Sequence, residues 1–335
     1  MSKIEKTFDK RFKQIFIPFL GFIFLILFFP YLFTSNSFFG INFSETGNIG
    51  DTIGGILGPF IAIAAAILTF FAFWVQYKAN EQQKLDLKIE RFENKFYELL
   101  KLHKENVNEL DLGNHLKGRK TFVHLTNELR VCYKVCENVI PQDEKFSEIN
   151  LIKFSYDIFY YGIGKLSEKY LFNRFNENEK KLYSIVLKHL ELFQNQYNYL
   201  IKNPILQDKN YEYKENITMT LLYLPFNGHV SKLGHYFRHL FQNAKFVINQ
   251  NSDLLDENQK YDYIRTLRAQ LSDHEQLLMY YNAIAWFDDE WRELFTTYRL
   301  IKNIPIPLAD FDKSPLEFYS KEIEQNENKK IFSWQ

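Results

Sequence analysis

The sequence has no excess of charge of either sign, because Lys and Arg together number 41 and Asp and Glu together also number 41 among 335 residues. Binding to a polyanion such as nucleic acid depends on clustered, excess Lys and Arg. The zero net charge therefore argues against a general polyanion-binding protein, and a nucleic-acid partner is not favoured.

Cysteine is scarce, since Cys132 and Cys136 are the only two in the chain. Their spacing places them on one face of a helix. Two thiols cannot form a Cys₄ zinc site, and C-x-x-x-C is not the redox spacing. We interpret them as buried thiols in a reducing compartment.

Recognisable catalytic motifs are also missing. The sequence has no H-E-x-x-H, no Walker loop, no G-x-S-x-G and no clustered Asp/Glu metal set. No segment alternates convincingly at period two, and no strand, glycine loop and helix follow one another. We therefore expect an all-α protein without a cofactor or metal, and we lean against an enzyme.

Long hydrophobic runs, in contrast, are present. Residues 15–33 carry no charge, and at about 1.5 Å per residue they span about 28 Å, close to the thickness of a bilayer core. Residues 53–75 form a second uncharged run. Lys and Arg precede the first run and follow the second, whereas residues 34–52 between them have none. The positive-inside rule then predicts a two-helix transmembrane hairpin, residues 1–77, with both termini cytoplasmic.

Small residues recur every four positions along the second run. They are Gly50, Gly54, Gly58, Ala62 and Ala66. Because membrane helices associate where small residues let backbones approach, this stripe predicts a packing seam, against the first span or against another copy of the chain. Pro59 predicts a kink or a late helix start. Asp51 lies at the mouth of the seam, and acids near a membrane are often functional.

The apolar pattern of residues 78–112 predicts a coiled-coil-like stalk helix. Its apolar stripe alternates steps of four and three, is broken at Asn106, and comprises Leu85, Ile89, Phe92, Phe96, Leu99, His103 and Leu110. A cytoplasmic helical bundle is expected over residues 113–320, with a tail at 321–335. Within the bundle, the patterns favour helices over residues 121–139, 150–171, 179–201, 228–249 and 257–285.

The stretch "GHVSKLGHYFRHLFQNAKFVI", residues 228–248, has one apolar face and one basic face. His235 and His239 lie one turn apart on the basic face. They could form one edge of a metal site, but Zn²⁺ needs a third protein ligand and none is near in sequence. The other interpretations are a solvated basic face, or a site for an anion, phosphate or RNA backbone with Arg238 contributing.

The stretch "RTLRAQLSDHEQLLMYYNAIAWF", residues 265–287, contains the S-x-x-E capping box of Ser272 and Glu275, which predicts a helix start at Ser272. Arg268 precedes the turn and His274 follows it. The R-x₅-H spacing matches the loose pattern of small helical ribonucleases, in which Arg would hold a phosphate and His would act as general acid or base. The structural alternative is that Arg268 pairs with an acid such as Glu275.

Three stretches occur in a fixed order: "GNIGDTIGGILGPF" from Gly47, "LGHYFRHLF" from Leu233 and "LRAQLSDHEQLLMYYNA" from Leu267. Together with the spans and the stalk, they resemble the phage abortive-infection membrane proteins, the AbiC-like family. The resemblance implies bacterial defence in which the infected cell stops growing or dies, and it implies no settled chemistry. The positions that match the motifs are Gly50, Asp51, Gly54, Gly58, Pro59, His235, Tyr236, Arg238, Arg268, Gln270, Ser272, Glu275 and Asn282.

The favoured hypothesis is a membrane-anchored, oligomeric effector in the bacterial inner membrane. Its cytoplasmic domain would sense a phage-encoded or host trigger protein, and its glycine-striped spans would associate and leak ions. One alternative is a membrane-tethered ribonuclease that uses Arg268 and His274. Another is a non-toxic blocker of a phage factor.

Overall fold

The computed structural model describes residues 48–325 and 330–333, together with scattered positions between 14 and 31. Those scattered positions are helical, but the rest of the first predicted span and the loop before Asn48 lie outside the described residues, so the hairpin stays a prediction. The chain divides into two units, Met1–Leu87 and Lys88–Gln335.

The described part of the chain is helical and contains no strand, only isolated bridges such as Ile205 with Thr218. Its helices are α1 (Asn48–Glu109), α2 (Lys120–Val139), α3 (Glu144–Ser147), α4 (Leu151–Tyr161), α5 (Lys165–Arg174), α6 (Glu177–Asn198), α7 (Val230–Ile248), α8 (Glu257–Arg268), α9 (Asp273–Asn282), α10 (Asp288–Thr296), α11 (Pro315–Phe318) and α12 (Ser320–Gln325). A π-helical turn, Ala283–Phe287, joins α9 to α10, and a 3₁₀ turn, Ile306–Leu308, follows α10. The all-α prediction is confirmed for these residues.

In the first unit, α1 is the helix among the described residues whose length and composition would allow it to cross a membrane. An 18-residue window of its apolar part has a mean hydropathy of 2.4, and none of that window is buried. Large side chains project outward along it, and Phe60, Phe70 and Phe73 are each more than half exposed. Pro59 lies inside the helix without ending it.

In the second unit, the predicted stalk stripe becomes a core face from Phe92 onward. The Phe92 ring stacks on Phe246 of α7 at 5.1 Å between centroids and meets Tyr263 of α8 edge-on at 4.9 Å. The Leu99 carbonyl accepts a hydrogen bond from the Asn243 amide at 3.1 Å. This part of α1 therefore packs within its own unit, and no coiled-coil partner is seen among the residues described.

The segment predicted as one helix over 150–171 is two helices, α4 and α5, separated at Gly162. Gly162 and Gly228 both have a φ of +82°, and a Cβ on Gly228 would come within 2.4 Å of the Tyr161 carbonyl oxygen. The Ile163 amide donates to the Phe226 carbonyl and the His229 amide to the Tyr160 carbonyl. Glycine is required because the end of α4 crosses the chain before α7 at backbone contact distance.

The predicted helix start at Ser272 is confirmed. The Ser272 hydroxyl accepts from the Glu275 amide, and the Glu275 carboxylate accepts from the Ser272 amide, which completes the capping box of α9. The expected burial of Cys132 and Cys136 is also confirmed, since both are fully buried in α2. Burial raises the pKa of both thiols, so neither is a reactive thiolate.

Candidate functional site

The two sequence motifs of the second unit meet at a buried hydrogen bond. The Tyr236 hydroxyl of α7 donates to Glu275 Oε1 of α9 at 3.1 Å, and both side chains are almost completely buried. Burial, followed by the nearby carboxylate, raises the pKa of Tyr236 well above its ordinary value. The phenol is therefore neutral and acts as a donor.

Glu275 has further partners on its other oxygen. Its Oε2 accepts from the Ser272 amide at 2.7 Å and from the Ser272 hydroxyl at 2.6 Å. Arg119, just before α2, places its Nε 3.6 Å from the same oxygen and donates from Nη2 to the Gln270 carbonyl. The carboxylate thus ties three segments together: α2, α7 and the α8–α9 turn.

His103 lies beside this network without joining it. Its ring centroid is 5.3 Å from that of Tyr236, and neither ring nitrogen has a hydrogen-bond partner among the described residues. Burial, followed by the charges of His239 and Arg119, lowers its pKa from 6.5 to about 4. His103 is therefore neutral at physiological pH, and protonation of its ring would place a buried positive charge beside Tyr236.

The outer face of α7 holds the predicted histidines and arginine. His235 and Arg238 are exposed, His239 is half-buried, and the two histidine rings lie 5.9 Å apart. Within the described residues no group of three or more His, Cys, Asp or Glu side chains could hold a metal. Gln270 is half-buried and takes part through its backbone carbonyl. The exposed residues can meet a partner, whereas Tyr236 and Glu275 only position the helices beneath them.

Arg268 and His274 are not joined by any hydrogen bond or ion pair among the described contacts. Arg268 is 8% exposed and donates from Nη1 to the Arg299 carbonyl at 2.7 Å. His274 is half-buried, and burial followed by Arg130 lowers its pKa. The alternative pairing of Arg268 with Glu275 is wrong, because the cation beside Glu275 is Arg119.

Asn282 is buried at the end of α9 and donates from Nδ2 to the Tyr156 hydroxyl at 2.8 Å. The π-helical turn follows it directly and places Trp286 edge-on against Tyr156 at 4.9 Å. Asp157 is buried nearby with Arg174 Nε at 3.1 Å, and burial raises its pKa to about 6 in spite of that cation. Asn282 thus holds helices together and does not reach the surface.

The sequence gives no sign of a further buried carboxylate, that of Glu128 in α2. The Tyr223 hydroxyl donates to it, as does the Phe226 amide at 2.8 Å, and His229 Nε2 lies 3.0 Å from Oε1. Its partners are about 100 residues away in the chain, so no local spacing links them. In the sequence, Gly162 and Gly228 are the feature that could have indicated a close backbone crossing in this region.

The described residues therefore define an all-helical unit with buried carboxylates at Glu128, Asp157 and Glu275, and another unit with an exposed apolar helix. Residues 228–308 match the family described as "Putative phage abortive infection protein". That stretch contains α7, the capping box and Asn282, so the resemblance drawn from the sequence motifs is confirmed over it. Comparison with curated proteins and with solved structures gave no significant match. The match supports a role in phage abortive infection.

Proposed function

We propose that this protein is an anti-phage effector and sensor that is anchored in the bacterial inner membrane and damages that membrane when triggered. The similarity of residues 228–308 to abortive-infection proteins supports the defence role. The second unit would recognise a phage-encoded or host trigger, and the exposed outer face of α7 offers His235 and Arg238 for that contact. A multi-pass topology with both termini cytoplasmic belongs to the proposal.

The membrane part of the proposal is supported by the apolar stretch of α1, because none of its most hydrophobic 18-residue window is buried. Burying apolar surface is favourable by about 25 cal/mol per Å². A helix with this many exposed Phe and Ile side chains is unfavourable in water, and we expect lipid, the first predicted span or another copy of the chain to cover it.

The glycine stripe supports association of the proposed spans. A Cβ added at Gly50, Gly54 or Gly58 would meet no atom within 4 Å among the described residues. The described part of the protein therefore leaves room for a Cβ at these positions. We expect the effect of a larger side chain to arise where the helix meets a neighbour outside the described residues.

The test is phage protection by cells carrying Gly54→Leu or Gly58→Leu. Ala64→Leu is the matched control, because Ala64 lies two residues, or about 200°, from both Ala62 and Ala66 and so faces away from the stripe at its own height on the helix. We expect both glycine variants to stay membrane-bound and lose protection, while the control protects. Full protection by both glycine variants would contradict the proposed association.

Measuring the membrane potential during infection distinguishes membrane damage from toxicity that arises in the cytoplasm. A voltage-sensitive dye should report early depolarisation in infected cells carrying the wild type or His274→Ala, and none with Gly58→Leu. Polarised membranes with arrested growth that His274→Ala relieves would favour the ribonuclease alternative instead. Protection without any harm to the cell would favour a blocker of a phage factor.

A further inference from the structure

Three large apolar side chains follow one another on the surface at the end of α6. Tyr199 is 79% exposed, Leu200 is 85% exposed and Ile201 is 43% exposed. Single exposed apolar side chains are ordinary on a protein surface, whereas adjacent ones mark sites of contact with another molecule. Side chains exposed to this degree project from the surface, and we call these three residues the apolar tip.

The backbone of the apolar tip has a conformation that leucine disfavours. Leu200 has a φ of +56°, in the left-handed region, where a Cβ comes too close to the following carbonyl oxygen. Its amide donates to the Tyr197 carbonyl at 2.9 Å, and the Ile201 amide donates to the Gln196 carbonyl at 3.4 Å. These two bonds form a Schellman motif, in which glycine is the usual residue at the left-handed position. The ending of α6 therefore does not explain a leucine at position 200.

Hydrogen bonds also fasten the chain on the far side of the apolar tip. The Lys202 carbonyl accepts from the Leu221 amide at 2.8 Å, and Asn203 Oδ1 accepts from the Thr220 hydroxyl at 3.0 Å. The tip is thus held at both ends, and the surrounding structure maintains the strained leucine. Strain maintained in this way is typical of binding sites, and an anchor that is already ordered loses little conformational entropy when it binds.

We infer that the apolar tip is a docking site that inserts into an apolar pocket on a folded protein partner. The inference rests on the proposed function, because this partner would be the trigger that the second unit recognises. Tyrosine is enriched among the residues that dominate the binding energy of protein interfaces, and such residues fill pockets on the partner. Leu200, the next residue, would contribute apolar surface to the same pocket.

A second copy of the chain fits the apolar tip less well than a different protein does. A stable interface buries about 800 Å² on each partner, from about 20–30 residues. A three-residue tip supplies only a small part of that area. Two copies usually pair through the same patch on both subunits. Two projecting tips would then meet each other, and neither would offer the other a pocket.

A lipid surface also fits the apolar tip less well. Attachment to anionic lipid combines apolar side chains with several Lys or Arg side chains. Residues 192–207, which include the tip, contain one cation, Lys202, and no acid. A single positive charge beside apolar side chains suits a protein pocket that has an acidic side chain at its rim.

Two substitutions separate the Leu200 side chain from the fold. Leu200→Gly and Leu200→Asn both remove the exposed apolar side chain, and both new residues adopt the left-handed backbone readily. In nanodiscs we expect Leu200→Gly to melt at or above the wild-type temperature, and infected cells carrying either variant to lose protection. Leu166→Asn is the matched control, because Leu166 is 87% exposed near the start of α5 and lies outside the tip. It should protect like the wild type.

Photo-cross-linking in infected cells identifies what covers the apolar tip. The full-length protein carries p-benzoylphenylalanine in place of Tyr199, alone or together with Leu200→Gly, Leu200→Asn or Leu166→Asn. We expect an adduct with one phage-encoded or host protein. Its yield should be at least about tenfold lower with either Leu200 variant, as for loss of a dominant anchor, and unchanged with the control.

Five outcomes overturn the docking site. They are an adduct only with a second copy, an adduct only with lipid, no adduct, full protection by both Leu200 variants, and a melting temperature of Leu200→Gly well below that of the wild type. The proposed membrane damage can fail separately: the adduct would then form and depend on Leu200 while infected cells keep their membrane potential. Equal depolarisation with the wild type and both Leu200 variants would remove the docking site alone.

Discussion

Replacing the buried Glu275 tests whether its network holds the second unit together. Glu275→Ala removes the acceptor for the Tyr236 hydroxyl and for both Ser272 donors, and it leaves a cavity. Each buried group left without a partner costs about 1–3 kcal/mol. Arg119 adds little, because its side chain is 51% exposed and can turn to water. We expect a loss of about 3–5 kcal/mol in the free energy of unfolding.

Glu275→Gln separates charge from shape. Gln is the other residue that completes a capping box, and its amide oxygen can still accept from Tyr236 or Ser272. We expect this variant to lose only about 1–2 kcal/mol. Glu179→Ala is the matched control, since Glu179 completes the capping box of α6 with Asn176. It should lose about 1 kcal/mol, the usual contribution of a cap.

Thermal unfolding of the full-length protein in nanodiscs, followed by near-ultraviolet circular dichroism, measures these differences. For a unit of this size, 1 kcal/mol shifts the melting temperature by about 2–4 °C. The expected decreases are therefore about 6–20 °C for Glu275→Ala and about 2–8 °C for Glu275→Gln. If Glu275→Ala lost no more than Glu179→Ala, the network would contribute nothing beyond an ordinary cap, and the reasoning would be refuted.

Two further predictions concern the pH dependence of stability and the room for a side chain at Gly228. In the unfolded chain His103 binds a proton below about pH 6.5, whereas the buried ring stays neutral until about pH 4, so the free energy of unfolding should fall by about 3 kcal/mol as the pH is lowered across that window. Urea unfolding at several pH values should show this loss in the wild type but not in His103→Leu. The same pH dependence in both proteins would contradict the prediction. Gly228 has a φ of +82°, and a Cβ there would lie 2.4 Å from the Tyr161 carbonyl oxygen, so Gly228→Ala should lower the free energy of unfolding by about 2–5 kcal/mol. Gly164 has open space around it, and Gly164→Ala should lower the free energy of unfolding by less than about 1 kcal/mol. Similar melting temperatures for the two variants would contradict the close crossing.

Local features of the fold could be predicted because local interactions decide them. The helix start at Ser272 follows from two side chains three residues apart, which bond each other's backbone whatever surrounds them. The burial of Cys132 and Cys136 follows from helical periodicity. The pattern favoured one helix over residues 150–171 and did not predict the break at Gly162. Glycine weakens a helix by itself, but the crossing with Gly228 decides that the chain turns there.

The candidate sites depended on contacts that no spacing encodes. Arg119 is the cation beside Glu275, although Arg268 is far nearer in sequence, because α8 directs the Arg268 side chain toward the Arg299 carbonyl. Glu128 has the sequence context of an ordinary helical glutamate, and its partners lie about 100 residues away. Side-chain chemistry was visible in the sequence, whereas the choice of partner was not.

The sequence by itself determined the helical class, the uncharged apolar stretch of α1 with its small residues, and the motifs of residues 228–308, where the chain matches abortive-infection proteins. Each of these depends on composition or on neighbours within a few residues. Only the tertiary structure decided that Tyr236 and Glu275 are buried partners, and that Arg268 bonds the Arg299 carbonyl and not His274. The physical reason is that burial and electrostatic environment depend on distances in space, and packing between helices distant in the chain sets those distances.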